Sequence, residues 1–324
     1  MSSPRLKIVS IGGGTGLSTL LRGLKKSSAD LAAIVTVTDD GGSSGRLRDE
    51  FGVLPPGDIR NCLIALSEDE TLMARLFRYR FNSGGDLNDH SFGNLFLTAM
   101  SGVTGDFAEA VRLTSGVLAI NGVIYPSTNS SVRLRGQFDD GTWVDGETRI
   151  VADPRPIRKI ELYPPNTAPL TDALRAIHAA DVITLGPGSL YTSLIPNMLV
   201  GEVAETIRAS TATKIYIQNI MTQPGETDGY MLAEHITALS EHCGGNLLFP
   251  NVIVNSGLPS ASILKRYEAE GASLVRYNRD VLNKMGLRIM ERDLLAEDGV
   301  IRHDPDRLAR AVLEMAGFAR AHHG

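Results

Sequence analysis

Short continuous apolar runs alternate along most of the chain with stretches in which apolar residues recur every three or four positions. That is how parallel strands covered on both faces by helices read. The first unit is the clearest. Residues 6–11 form an apolar-rich strand, Gly12-Gly13-Gly14-Thr15-Gly16 breaks it, residues 17–26 have helical spacing, and 32–38 are a second strand. This order predicts a βαβ unit with a parallel pair. Helical spacing follows over 58–66, 71–80, 92–100 and 107–117. From 122 to 163 the period changes to two: alternating segments at 132–138, 143–147 and 157–162 are broken by Asp139-Asp140-Gly141 and several prolines. These predict an inserted antiparallel hairpin unit. The earlier rhythm then returns with strands at 182–185, 215–220 and 252–255, helices at 203–209 and 230–239, and a closing amphipathic helix at 305–315, expected at the sheet edge. Without repeats, low-complexity tracts or long linkers, the pattern predicts one α/β domain over residues 1–324. Its core is a doubly wound, mostly parallel sheet with helices on both faces, and residues 122–163 form an inserted β subdomain.

Composition narrows the function. The 324 residues are 43% apolar and 21% charged, with a net charge of −5, the balance of an ordinary globular protein. A generic nucleic-acid binder is usually basic, so that class is excluded. Cys62 and Cys243 are far apart and form no CxxC, which argues against a disulfide scaffold or a structural zinc site. Cys62 lies in an apolar run and is expected in the core. A short polar lead runs straight into the first strand, with no room for a secretory leader, and no apolar stretch reaches membrane-spanning length. A cytoplasmic location is the expectation.

Candidate chemistry gathers where strands end. In open parallel sheets ligands bind beyond the carboxyl ends of the strands, where helix N-termini offer free N–H groups. Gly12 to Gly16 lets a phosphate approach the backbone, and Thr15 adds a hydroxyl. Its GxGxG spacing matches neither GxGxxG nor the lysine-bearing P-loop, and a turn that only packs helix on strand is the plainer alternative. After strand two comes Asp39-Asp40-Gly41-Gly42-Ser43-Ser44-Gly45-Arg46. Its glycines and serines can wrap an anion and Arg46 can neutralise it, while Asp39 or Asp40 can take a hydroxyl, a base edge or Mg2+. A solvated loop with Asp39 capping a turn is the alternative. In Pro55-Pro56-Gly57-Asp58-Ile59-Arg60-Asn61, Asp58 suits a helix N-cap, and Arg60 in a first turn opposes the helix dipole unless it serves an anion. His90, in Asn88-Asp89-His90-Ser91-Phe92-Gly93-Asn94, suits a general acid/base, a phosphate donor or a structural histidine. Gly186-Pro187-Gly188-Ser189, followed by Thr192, is a second anion nest, and Asn219, Thr222, Gln223 and Gly225 decorate another strand end, as Asn255-Ser256-Gly257 does one more. So many decorated termini outweigh any one glycine motif.

Five strings, IGGGTGLSTLLRGLK, VTVTDDGGSSGRLRDEFGVLPPGDIRNCL, HSFGNLFL, LGPGSLYTSLIPN and NIMTQPGETDGY, closely resemble the gluconeogenesis-factor family, also called the YvcK family. The likeness extends over essentially the whole chain. That family is a branch of a CofD-like group whose other branch holds 2-phospho-lactate transferases. The resemblance implies a Rossmann-like fold, a cytoplasmic setting, and a UDP-sugar ligand, typically UDP-N-acetylglucosamine. It also implies a role in cell shape and wall-precursor supply during gluconeogenic growth. By resemblance, Gly13, Gly14 and Thr15 match the first phosphate loop, and Asp39, Asp40, Gly41, Ser43, Ser44 and Arg46 the second. Asn61, His90 and Asn94 match the central polar motifs, and Gly186, Gly188, Ser189 and Thr192 the later glycine loop. Tyr267 and Arg302 fall where the family contacts its nucleotide sugar. Their role rests on resemblance alone, since chemistry allows a helix-face residue and a surface charge. Phe51 and Phe92 stand where leucine is expected, as volume changes at apolar positions.

Three readings follow. The first is a metabolite-binding regulator, read by a protein partner in amino-sugar or wall synthesis. The second is a transferase with Mg2+ at Asp39 and Asp40 and His90 in the reaction. The third, a nicotinamide-dependent oxidoreductase, is weakest because the glycine spacing is wrong. The oligomeric state is open, and a homo-oligomer is compatible with the pattern.

Overall fold

The computed structural model describes residues 5–68, 72–82 and 84–321. Its strands are β1 (Lys7–Gly12), β2 (Asp30–Val35), β3 (Val123–Pro126), β4 (Arg133–Phe138), β5 (Trp143–Asp145), β6 (Ile157–Tyr163), β7 (Val182–Leu185), β8 (Thr213–Ile217), β9 (Asn251–Asn255), β10 (Arg288–Arg292), β11 (Leu295–Glu297) and β12 (Ile301–His303). Seven of them make one parallel sheet in the order β10-β9-β8-β7-β1-β2-β3. From β1 the chain winds through β2 and β3 to one edge and later through β7 to β10 to the other. The order therefore reverses between β1 and β7, and a crevice opens there at the carboxyl ends of the strands.

The continuous apolar runs have the predicted cause. Ile8 and Val182 face one core, shared with helices Gly14–Leu24, Gly57–Leu66 and Pro305–Ala321. Val9, Ile11, Ile183 and Leu185 face the other, shared with helices Thr171–Ala179, Val203–Ala209 and Leu232–His242. Ser10 and Thr184 are buried polar exceptions, and their hydroxyls bond each other at 3.0 Å. Cys62 is fully buried in the first core, as expected.

The three alternating segments pair as an antiparallel sheet in the order β5-β4-β6. Leu134, Phe138, Ile157 and Ile160 pack into the same core as Val9 and Ile183. The head of the stretch expected to be inserted behaves differently: β3 pairs in parallel with β2 and closes the main sheet, with Pro126 at its end, a position an edge strand tolerates.

Other elements differ from expectation. The glycine- and serine-rich segment after β2 is helical over Gly42–Phe51. A Cβ at Gly45 would lie 2.1 Å from the Asp40 carbonyl oxygen, so this glycine permits close packing and does not mark a loop. Phe51, expected at an apolar position, is 58% exposed, so its ring is not a volume change in the core. Phe92 packs edge-on against Phe77, ring centroids 5.9 Å apart. The helix expected over 71–80 is Leu72–Arg78, and Thr71 lies outside the described residues. The closing helix Pro305–Ala321 lies on a face of the sheet, against helix Gly14–Leu24, and not at its edge. No helix among the described residues is long and apolar enough to cross a membrane.

At that helix pair Gly23 is essential, because an added Cβ would meet the Pro305 carbonyl oxygen at 1.9 Å. Gly23→Ala is expected to destabilise the fold by about 1–3 kcal/mol through overpacking. Gly102→Ala, in an exposed helix interior with no atom in the way, is expected to stabilise it by about 0.4–1 kcal/mol. Urea denaturation of the two variants checks both signs.

Candidate functional site

Two glycine turns meet at the reversal point. After β1, Gly13 is extended and Gly14, at φ +65°, opens helix Gly14–Leu24. This helix has no side-chain cap of its own and no acid in its first turn; apart from the Gly14 backbone, which donates to Asp58, its early N–H groups and partial positive charge suit an anion. After β7, Gly186 has φ +87° and leads into Gly188 and Ser189. A Cβ at Gly16 would lie 2.3 Å from the Pro187 carbonyl oxygen, so the two backbones approach this closely because residue 16 is glycine. Asn219, just past β8, grips Gly188 twice: its Oδ1 accepts from the Gly188 N–H at 3.0 Å and its Nδ2 donates to the Gly188 carbonyl at 2.6 Å. Gln223 donates to Ser189 Oγ at 2.7 Å, leaving the Ser189 proton free to point elsewhere.

These turns line a cavity of about 410 Å³. Gly13, Gly14 and Thr15 form one wall and Gly188, Ser189 and Asn219 another. Tyr267, from helix Ala261–Ala269, and Arg302, from β12, close it. The Tyr267 hydroxyl accepts from the Ile301 N–H at 3.0 Å, which ties the helix to the strand that carries Arg302. Arg302 is exposed, and no ion-pair partner is found for it among the described residues. Gly186 and Thr192 do not line the cavity. Gly186 shapes the turn, and Thr192 is buried with its hydroxyl donating to Glu226 at 3.2 Å.

The second loop and the central motifs form a separate polar cluster. His90 Nδ1 lies 2.9 Å from Ser43 Oγ, and Asn94 Nδ2 donates to the same oxygen at 2.9 Å. Arg60 donates to Ser91 Oγ, Asn94 Oδ1 and Asn61 Oδ1, at 2.6, 3.0 and 2.7 Å. Its cation in the first helical turn thus serves neutral oxygens across the cluster. Arg46 donates to the Asn88 carbonyl. Ser44 is buried beside Gly57, where a Cβ would come 2.5 Å from its hydroxyl. Burial and the neighbouring Arg46 cation hold the His90 pKa below its usual value, which keeps the ring neutral.

The two acids of the second loop are already engaged. Asp39 Oδ1 accepts from the Gly41 N–H at 2.9 Å. Asp40 Oδ1 accepts from the N–H and hydroxyl of Thr148, at 2.8 and 2.7 Å, and so fastens the antiparallel unit's helix Glu147–Ala152 to this loop. Asp58, expected to cap its own helix, instead accepts a hydrogen bond from the Gly14 backbone; burial raises its pKa to about 6, with the Asp39 charge adding to the effect. Burial likewise raises Glu147, with Asp39 next among the causes. Glu226 accepts from the Tyr191 N–H at 3.2 Å, and burial raises it to about 7. Asp58 and Glu226 were missed as site-shaping groups. For Asp58 the available signal was an acid two residues before an inward-facing arginine. Glu226 gave none, since its partner lies 35 residues away.

The fold and this crevice define a parallel α/β protein with a glycine-lined cavity where its strand order reverses. A family model described as 2-phospho-L-lactate transferase CofD matches residues 8–295. The gluconeogenesis factor of Bacillus subtilis is 46% identical over 310 residues, covering 95% of this chain and 98% of that protein. That of Halalkalibacterium halodurans is 46% identical over 308 residues, covering 95% of each. A relative from Nostoc sp. is 53% identical over 320 residues, 98% of this chain but 70% of that protein. A crystal structure of a Bacillus halodurans protein matches with a TM-score of 0.93 at 45% identity, covering 96% of this chain and all of that one. The chain belongs to the CofD family, with the gluconeogenesis factors among its near relatives.

Glu226 makes stability pH-dependent. Its folded pKa lies above the unfolded value of 4.5, so the folded state holds more protons between pH 4.5 and about 7. The stabilisation is complete below pH 4.5 and is lost as pH rises through 7. Glu226→Gln is therefore expected to remove this slope and to gain about 1–3 kcal/mol over the parent protein at pH 8.5. Denaturation at pH 5 and 8.5 measures it, and an unchanged slope refutes it.

Proposed function

We propose that the protein binds a nucleotide sugar in the cavity between the glycine turns, with UDP-N-acetylglucosamine the first candidate. Its occupancy is read by a protein partner in amino-sugar or wall synthesis, so that the protein regulates cell shape and wall-precursor supply in the cytoplasm during gluconeogenic growth. The observation that carries this reading is the convergence in one cavity of Gly13 to Thr15, Gly188, Ser189, Asn219, Tyr267 and Arg302. The first helix's N–H groups and the Ser189 hydroxyl suit a diphosphate, Arg302 supplies the opposite charge, and the Tyr267 ring offers a flat face to a base or sugar. That Tyr267 and Arg302, named only by resemblance, line the cavity named by strand-end logic supports the reading from two sides.

A second reading, a Mg2+-dependent transferase of uridylyl, phosphoryl or phospholactyl groups, draws on the family's description and on the carboxylates beside the first glycine turn. Among the described residues no group of three or more His, Cys, Asp or Glu is arranged to hold a metal. Mg2+ commonly takes only one or two carboxylates, but Asp39 and Asp40 do not line the cavity, so an ion on either would have to bridge to phosphates seated there. Binding is favoured because both acids already serve as structural acceptors.

Calorimetry is expected to show heat for UDP-N-acetylglucosamine, and Arg302→Ala to weaken binding about tenfold or more. The absence of heat for any uridine compound refutes the reading. Incubation with UTP, N-acetylglucosamine 1-phosphate and Mg2+ is expected to release no pyrophosphate. Release that Asp40→Asn abolishes would establish the transferase instead.

A further inference from the structure

The polar cluster around His90 fixes the direction of each of its hydrogen bonds. A guanidinium can only donate. Arg60 Nη1 lies 3.0 Å from one terminal atom of the Asn94 side chain, which must therefore be the amide oxygen. The same nitrogen holds Ser91 Oγ, which also accepts the Asn94 backbone N–H, so the head of helix Phe92–Thr104 is anchored at this point. With its oxygen turned to Arg60, Asn94 presents its NH2 to Ser43, 2.9 Å from Oγ. Ser43 accepts that bond and has one proton left to give. Among the described residues its remaining partner is His90 Nδ1, at 2.9 Å. Ser43 is 8% exposed and His90 5%, so bulk water does not compete for the proton. Nδ1 must accept, and the imidazole proton sits on Nε2, which has no hydrogen-bond partner among the described residues and is not among the sealed, unpaired buried atoms, so it opens to the surface.

We propose that Arg60, Asn94 and Ser43 are positioning residues that lock His90 as the neutral Nε2–H tautomer, and that this N–H donates to an anionic oxygen of a ligand that extends to this cluster from the glycine-lined cavity, whose walls do not include His90. The charges facing the ring are Arg46 and Arg80, with Glu50 and Asp89 opposing them. Burial and Arg46 keep the ring from taking a second proton. Of the roles the sequence left open, the relay selects donor towards the ligand: Nε2 is already protonated and can only give a hydrogen bond, while Nδ1, the one basic nitrogen, faces Ser43. That the acceptor belongs to a nucleotide sugar rests on the function proposed above, whereas the tautomer does not.

Nitrogen-15 spectra of histidine-labelled protein near neutral pH test the relay, with the His90 signals among the seven histidines assigned by their loss in His90→Gln. The ligand-free protein is expected to show a protonated Nε2 and an unprotonated Nδ1. In Asn94→Asp the carboxylate keeps Arg60 but has no proton to give, so Ser43 turns its own proton to the new acid. His90 Nδ1 then faces a lone pair and is expected to become protonated. A protonated Nδ1 in the parent protein overturns the relay, and so does an unchanged His90 pattern in a folded Asn94→Asp. If that variant does not fold, the spectrum of the parent protein decides alone. Saturating UDP-N-acetylglucosamine is expected to shift the His90 Nε2 proton. His90→Phe is expected to weaken binding about tenfold, and His90→Gln, which keeps a donor, to retain most of it. Calorimetric binding with no change at His90 overturns the donor role. Absence of binding overturns the nucleotide-sugar reading and the donor role with it, and leaves the tautomer to be decided by the ligand-free spectrum.

Discussion

The organisation of the crevice rests on a contact between two stretches of backbone. Gly16 and the Pro187 carbonyl come so close that a single added carbon would stand 2.3 Å from the oxygen. This approach brings the open end of the first helix and the turn after β7 together to form one cavity. Asn219 sets the position of Gly188 from the next strand along, and Gln223 sets that of Ser189. The site is thus built largely from main chain held by side-chain amides, which preorganises donors with little rotamer entropy to lose on binding.

Helix Gly57–Leu66 connects the two polar regions. Asp58 and Arg60, two positions apart, project in different directions. Asp58 accepts from Gly14 at the first glycine turn, and Arg60 directs the chain that ends on His90. Ile59, Cys62 and Leu63, fully buried, anchor this short helix, so one element holds a group of each polar region. Thr148 adds a further link, since its bonds to Asp40 fasten the antiparallel unit to the loop that precedes Ser43.

Much of this was legible in the sequence where burial repeats along the chain. β1, β2, β7, β8 and β9 carry residues covered on both faces, and continuous apolar runs are the direct result. β10 was invisible because it lies at the edge and is only partly covered, and β11 and β12 because they are three residues long. Helix Gly42–Phe51 was hidden by composition: its glycines and serines read as loop, yet Gly45 is there to let Asp40 pass. The glycine turns followed from strand ends alone. Tyr267 and Arg302 did not, because helix Ala261–Ala269 has no buried residue and β12 has too few positions to show a pattern. The interior acids resisted for another reason. Whether a carboxylate near Asp58 or Glu226 is solvated or sequestered depends on which amide lies across the fold, and spacing along the chain carries no trace of that.

Glu226 bears on the way a guest is seated. Its carboxylate supplies negative charge to the start of the turn over Leu190–Leu194, where the backbone N–H of Tyr191 would otherwise attract a phosphate. Both glycine turns carry a buried carboxylate, Asp58 at the first and Glu226 at the second. Since burial raises one acid to about 6 and the other to about 7, the negative charge that each turn holds against its backbone N–H groups varies with pH close to neutrality.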